Sequence, residues 1–183
     1  EREAQYNAAK NFTLGFIYFL QTELKQPQIG LATDEVNEGM AFMPYNREGR
    51  RLKGKVRLNI DHIAKPFNYN LYRTGISVGD YPVDHHHARY NGKVPPIPFP
   101  SVPSFNIPLG ALIPENTQGL VVCEKGISVS NIANGTTRLQ PVVLLTGQAA
   151  GMLAAVSLQQ NIKVQDVSVT AVQKALLQEK VYL

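Results

Sequence analysis

The run Asn131 to Ala150, Asn-Ile-Ala-Asn-Gly-Thr-Thr-Arg-Leu-Gln-Pro-Val-Val-Leu-Leu-Thr-Gly-Gln-Ala-Ala, leads polar residues into a helix built largely of small ones. Pro141 suits a first helical turn, where its missing N–H costs nothing, and Gly147, Ala149, Ala150, Gly151, Ala154 and Ala155 follow along the helix. Such a helix admits a close neighbour. Its early turns present backbone donors and the positive end of a dipole, while Gly147 and Gly151 carry no side chain to hold a ring or a strand away. Taken alone, these residues permit two readings: a tightly packed core helix, or the wall of a ligand site.

Elsewhere the pattern alternates between helical and extended signals. Ala8, Phe12, Gly15, Phe16, Phe19 and Leu20 recur at helical spacing and Pro27 follows, which predicts a helix from about Ala4 to Leu24. Its apolar side is so broad that burial on more than one side is expected. Arg57 to Ile60 and Ile76 to Val78 read as strands of an antiparallel sheet. Six prolines between Val94 and Pro108 make an extended connector that can join neither a central sheet nor a helix. Leu120 to Cys123 reads as a short buried strand, Val142 to Gln160 as the small-residue helix, and Ser168 as the N-cap of a last helix towards Glu179 with Val172, Ala175 and Leu176 on one face. Thr146, Gln148 and Ser157 interrupt the apolar run of the small-residue helix, which argues against a membrane span.

With 183 residues, 44% hydrophobic and 17% charged, the chain can bury one substantial core. A formal charge of +4 with the basic residues gathered between Arg47 and Arg57 suits an anionic ligand or partner, but is too small, and too poor in recognisable motifs, for a nucleic-acid-binding protein. Cys123 is the only cysteine, so a dithiol redox mechanism within this chain is excluded and the thiol is expected to act as a small hydrophobe. No charged-then-apolar leader opens the chain at Glu1, and the compartment stays open.

Two clusters carry side chains suited to chemistry. If extended, Arg47 and Arg51 project to one face and Arg50 to the other; paired guanidiniums form forks that suit a carboxylate or phosphate, and Glu48 is their neutralising alternative. In Asp84-His85-His86-His87, alternate residues face opposite ways, so each face offers two groups able to hold a metal or move a proton. The only other histidine is His62, beside Asp61, so the ligand count falls short of a metal site and none is expected. A proton-transferring or substrate-binding imidazole and a polar surface turn remain the competing readings.

From Pro44 onward the sequence resembles, block by block, the C-terminal part of bacterial FAD-dependent oxidoreductases of the glutathione-reductase-like superfamily. Pro44-Tyr45-Asn46-Arg47-Glu48-Gly49-Arg50-Arg51-Leu52-Lys53-Gly54 is similar to that branch's Arg-Glu-Ser-Arg-Arg-Ile block, and Gly79-Asp80-Tyr81-Pro82-Val83-Asp84-His85-His86 to its Tyr-Pro-x-Asp segment. Ile107-Pro108-Leu109-Gly110-Ala111-Leu112-Ile113-Pro114, then Gly119 to Cys123, resembles the next block and the strand after it. Two departures stand out: Glu124-Lys125-Gly126 replaces a Gly-Arg turn, and Gly49 replaces a Ser. The superfamily's Gly-x-Gly-x-x-Gly turn, which cradles the flavin pyrophosphate, is not found in these 183 residues.

The resemblance implies an α+β or α/β chain: over residues 1–104 an N-terminal helix and a cap or substrate subdomain with an antiparallel sheet and the Pro-rich connector, and over 105–183 the closing strand and helices of a Rossmann-like FAD-binding domain. It implies catalytic roles for His85, His86 and Arg50, and substrate contacts from Arg47, Arg51, Tyr81 and Asp84. It implies flavin contacts from Arg138, Gln140, Thr146, Gly147, Gln148 and Ala149. The activity implied is hydride transfer between a small or carbohydrate-like substrate and FAD. FAD is expected only with an N-terminal flavin-binding region, supplied in cis or by a partner chain; neither nucleic acid nor membrane is an expected partner. A non-catalytic truncated or binding domain is the alternative, and a metal hydrolase built on the histidines a distant third.

Overall fold

The computed structural model describes residues 1–85 and 98–183, which fall into two compact units, Glu1–Asn46 and Arg47–Leu183. The first unit is built on α1 (Arg2–Thr22), whose end is marked by Lys25 at φ +53° and by Pro27. Gln21 Nε2 donates to the Ile29 carbonyl at 2.7 Å and Lys10 pairs with Glu38 at 3.3 Å, tying the following segment back to the helix. The helix is where the sequence predicts it, but its expected burial is not found. No residue of α1 is buried, and Phe12 stays 79% exposed.

The second unit holds the core, where Leu58, Ile76, Ile107, Leu112, Leu153 and Leu176 are all essentially inaccessible. Its sheet has two antiparallel strands, β1 (Gly75–Gly79) and β2 (Phe105–Pro108), in the register Gly75 to Pro108 and Gly79 to Phe105. Two expectations are corrected here. The partner of the Ile76 strand is not Arg57–Ile60 but the end of the Pro-rich connector. Phe105, Asn106 and Ile107 form a proline-free stretch, and Pro108, which lacks an N–H, sits at the last pair.

Arg57–Ile60 does not form a strand. Leu58 makes a single parallel bridge to Val129, with Leu58 N–H donating to the Ser128 carbonyl at 2.9 Å and Ser130 N–H to the Leu58 carbonyl at 2.8 Å. One residue later Asn59 Oδ1 accepts from the N–H groups of Asp61 and His62, and His62 Nδ1 accepts from Asn59 N–H. That capping box starts α2 (Ile60–Ala64) and ends the extended run.

Leu120–Cys123 is also not a strand. Gly119 and Glu124 bracket it at φ +69° and +60°, turning the chain at both ends, and the segment is exposed at Leu120 and half-buried from Val121 to Cys123. One backbone bond, Val122 N–H to the Leu112 carbonyl, ties it to the core.

Three helices finish the unit. Ser130 Oγ caps α3 (Asn131–Thr137) by accepting from Ala133 N–H; α4 (Gln140–Gln160) begins with Pro141 in its first turn and ends at Asn161 in the left-handed conformation; Ser168 caps α5 (Val169–Gln178). Val172 and Leu176 of α5 are buried, as their spacing predicts. α4 packs against β1, α5 and the turn at Glu124–Gly126. At 21 residues it is, among the described residues, the one helix long and apolar enough to cross a membrane; a third of its most apolar stretch is buried against its neighbours.

Candidate functional site

α3 is the platform of the site. Five of its residues, Ala133 to Thr137, are buried, and Gly135 lies so close to the segment before His85 that a Cβ there would meet the Asp84 carbonyl oxygen at 2.8 Å. Only glycine allows that approach. One turn on, Arg138, 6% exposed, donates through Nη2 to the Asp84 carbonyl and to Asp84 Oδ2, each at 2.9 Å. One guanidinium nitrogen therefore grips backbone and side chain of one residue and sets the position of the next, His85.

The opposite end of α3 meets the arginine-rich loop. Asn131 Oδ1 is hydrogen-bonded to His85 Nε2, Asn131 Nδ2 donates to Glu48 Oε2 at 2.9 Å, and Arg51 Nη1 lies 3.4 Å from the same Glu48 oxygen. The carboxylate can only accept, so it orients the Asn131 amide with nitrogen towards Glu48 and oxygen towards His85. An amide oxygen facing Nε2 requires the hydrogen on Nε2, leaving Nδ1 as the basic nitrogen of the neutral ring. The histidine side chain is nearly enclosed, at 9% exposure, with the Phe99 ring 6.3 Å from its own. Glu48, Asn131 and His85 thus form a polarised chain that presets one tautomer.

The sequence-predicted residues distribute unevenly around this cluster. His85, Asp84, Arg138 and Arg51 come together in it. Arg47 is exposed on the loop before it, and Arg50, also exposed, lines a separate basic cleft. Tyr81 lines an apolar hollow of about 250 Å³ with Val78, Leu139, Pro141 and Leu145. His86 lies outside the described residues. On α4, Gln140 and Gln148 are exposed, and a Cβ on Gly147 would meet nothing within 4 Å. Thr146 is buried, its hydroxyl donating to the Val143 carbonyl and accepting from Glu124 N–H, and Ala149 belongs to the hydrophobic core.

Two members of the arrangement had no site role from the sequence: Glu48 and Asn131. Glu48 had a sequence signal, three residues before Arg51, that pointed to charge neutralisation rather than to an imidazole relay. Asn134 is fully buried, and neither atom of its amide has a hydrogen-bond partner. Cys123 takes no part: burial foremost, and then the Glu124 carboxylate, raise its thiol pKa above the ordinary value, which keeps it protonated at neutral pH. Among the described residues no group of three or more His, Cys, Asp or Glu could hold a metal ion.

The donor set suits the ring end of a flavin. Gly147 leaves open space on the helix surface, Gln148 offers an amide next to it and Gln140 one about two turns nearer the helix start, and the Asn134 amide, unpartnered among the described residues, lies within α3, the helix that precedes. A hollow of about 940 Å³ belongs to the first unit and is lined mainly by apolar side chains of α1 and of residues 30–45. No curated protein and no solved structure matches this chain. The family model of FAD dependent oxidoreductases matches residues 1–176, and the chain belongs to that family.

Proposed function

We propose that this chain is the C-terminal part of a bacterial FAD-dependent oxidoreductase of the glutathione-reductase-like superfamily, in which residues 1–104 serve the substrate and 105–183 close the flavin site. The observation that carries the reading is the meeting of three blocks distant in sequence, Glu48-Arg51, Asp84-His85 and Asn131-Arg138, at one half-buried histidine. A bound flavin would supply the two-electron acceptor for a hydride leaving a carbon of a small or carbohydrate-like substrate. His85 takes the hydroxyl proton released in that oxidation at Nδ1, while Nε2–H stays on Asn131 and the Glu48 carboxylate stabilises the resulting imidazolium. Arg138 and Asp84 position that imidazole. α4 begins two residues after Arg138, so a buried cation and a positive helix end share one place, which suits developing negative charge on a reduced ring. Gln140, Gly147 and Gln148 contact the ring, and Arg47 anchors the substrate.

The diphosphate end of the cofactor needs a Gly-rich turn that these residues do not contain, so FAD binding requires that turn from an N-terminal region or a partner chain. Titrating FAD into the 183-residue chain, and into the same chain expressed with the gene's own preceding segment, tests this. The first preparation should be colourless and the second yellow with one equivalent of FAD; in the second, His85→Gln should lower kcat and remove the acidic limb of the pH profile while FAD stays bound. A stoichiometrically yellow 183-residue chain, or an unaltered pH profile in His85→Gln, overturns the proposal.

A further inference from the structure

The second unit carries a basic cleft of about 550 Å³, of which the flavin reading uses Arg51 alone. Arg50, Arg51, Lys53, Lys55 and Arg57 line it, against one carboxylate, Glu115. Three of these cations already face an oxygen: Arg51 that of Glu48, Lys53 that of Glu115 at 2.8 Å, and Lys55 the Gln165 carbonyl at 2.7 Å. Arg50 and Arg57 have no ion pair among the described residues. Five of the chain's 18 basic side chains are thus crowded into one concavity, where they repel one another until an anion enters.

An independent observation lies in the wall of the same cleft. Ser128 lines it and is 1% exposed, yet its Oγ has no hydrogen-bond partner among the described residues. Gly54 permits this burial, since a Cβ there would meet the Ser128 Cβ at 2.8 Å. A hydroxyl shut away from water and from every protein partner is a donor waiting for an acceptor.

The geometry points to a binding site for the phosphate group of a small ligand, held by the Arg50 and Arg57 guanidiniums with the Ser128 hydroxyl donating from the wall. Phosphate fits better than a carboxylate. It carries close to two negative charges on three or four oxygens arranged tetrahedrally, so it can meet guanidiniums and a hydroxyl from different directions, whereas a carboxylate fills one planar fork. The cleft is larger than the anion alone, leaving room for the group that bears it.

Isothermal titration of the 183-residue chain with inorganic phosphate, at low ionic strength and against a chloride titration matched for ionic strength, tests the site. Phosphate should bind saturably with one site while chloride gives no isotherm. Arg57→Gln, at an exposed position, should weaken phosphate binding about tenfold and Ser128→Ala several-fold, whereas Lys174→Gln, an exposed cation on α5 outside the cleft, should leave it unchanged. Titrations with ribose 5-phosphate and with ADP then distinguish a phosphate monoester from a nucleotide diphosphate as the natural source, by which binds more tightly. Phosphate behaving like chloride, or Arg57→Gln and Lys174→Gln weakening binding equally, overturns the inference; if Ser128→Ala fails to fold, the Arg57 and Lys174 pair still decides.

Discussion

Breaking the Arg138 to Asp84 pair from its two sides should produce unequal losses, and the inequality follows from burial. Arg138 is 6% exposed, whereas the Asp84 side chain is 40% exposed. In Arg138→Met the apolar volume is kept and the half-exposed Asp84 carboxylate stays within reach of water, so the loss is the net worth of two charge-assisted bonds screened by partial exposure, about 1–2 kcal/mol. In Asp84→Ala the guanidinium stays behind in the interior with only the residue 84 carbonyl for a partner. An uncompensated buried charge costs about 3–5 kcal/mol, and the surviving carbonyl bond brings this to about 3. For a unit the size of Arg47–Leu183, thermal midpoints should fall by about 4 °C and about 9 °C respectively. The sharper expectation concerns the double variant: Arg138→Met in the Asp84→Ala background removes the stranded charge, so the pair should be more stable than Asp84→Ala alone. Urea unfolding of the four proteins with constant m-value measures this. A double variant less stable than Asp84→Ala, or single losses that are equal, would refute the account of Arg138 as a buried cation dependent on Asp84.

Two further outcomes follow from local geometry. Gly147→Ala adds a Cβ into open space on the helix, so it should raise stability by about 0.5–1 kcal/mol through helix propensity. In the FAD-loaded protein the same change should weaken flavin binding; a fall in midpoint would show instead that Gly147 is packed. His62 has its pKa pulled below the ordinary imidazole value, chiefly by burial and against the opposing effect of Asp61. Its depressed folded pKa means that the unfolded chain takes the proton first. The stability it contributes is therefore present above the ordinary histidine pKa of about 6.5 and is lost as pH falls through the lower folded value. Protonation turns Nδ1 from acceptor to donor and breaks the His62 half of the α2 capping box, a loss of about 1 kcal/mol. Urea midpoints measured from pH 7.5 down to pH 5 should decline less steeply in His62→Gln, and parallel slopes would disprove this.

Features decided within a few residues were legible in the sequence. Pro141 at a helix start, Ser168 as an N-cap, the face of Val172 and Leu176, and the α1 periodicity all stand as read, because each depends on neighbours one turn away. Strand identity was half legible. Ile76–Val78 is extended as its residues dictate, but alternation along a strand does not name its partner, and the partner turned out to be Phe105–Pro108, some 30 residues on. At Arg57–Ile60 the Asn59 capping box, and at Leu120–Cys123 the two positive-φ residues, overrode the β-branched and apolar signal.

The site divides in the same way. Residue types fitted for chemistry, a histidine beside an aspartate and arginines beside a glutamate, are visible in the chain. Which guanidinium grips which carboxylate is not, because Arg138 and Asp84 are 54 residues apart and Glu48 and Asn131 are 83 apart. Only folding brings Gly135 close enough to set Asp84 beside Arg138, and only the meeting with Glu48 turns an ordinary, exposed Asn131 amide into the group that selects the His85 tautomer. Sequence determined the long helices α1, α4 and α5 and the chemistry on offer; the tertiary structure decided the partners, because partner choice rests on long-range packing and desolvation that no local window contains.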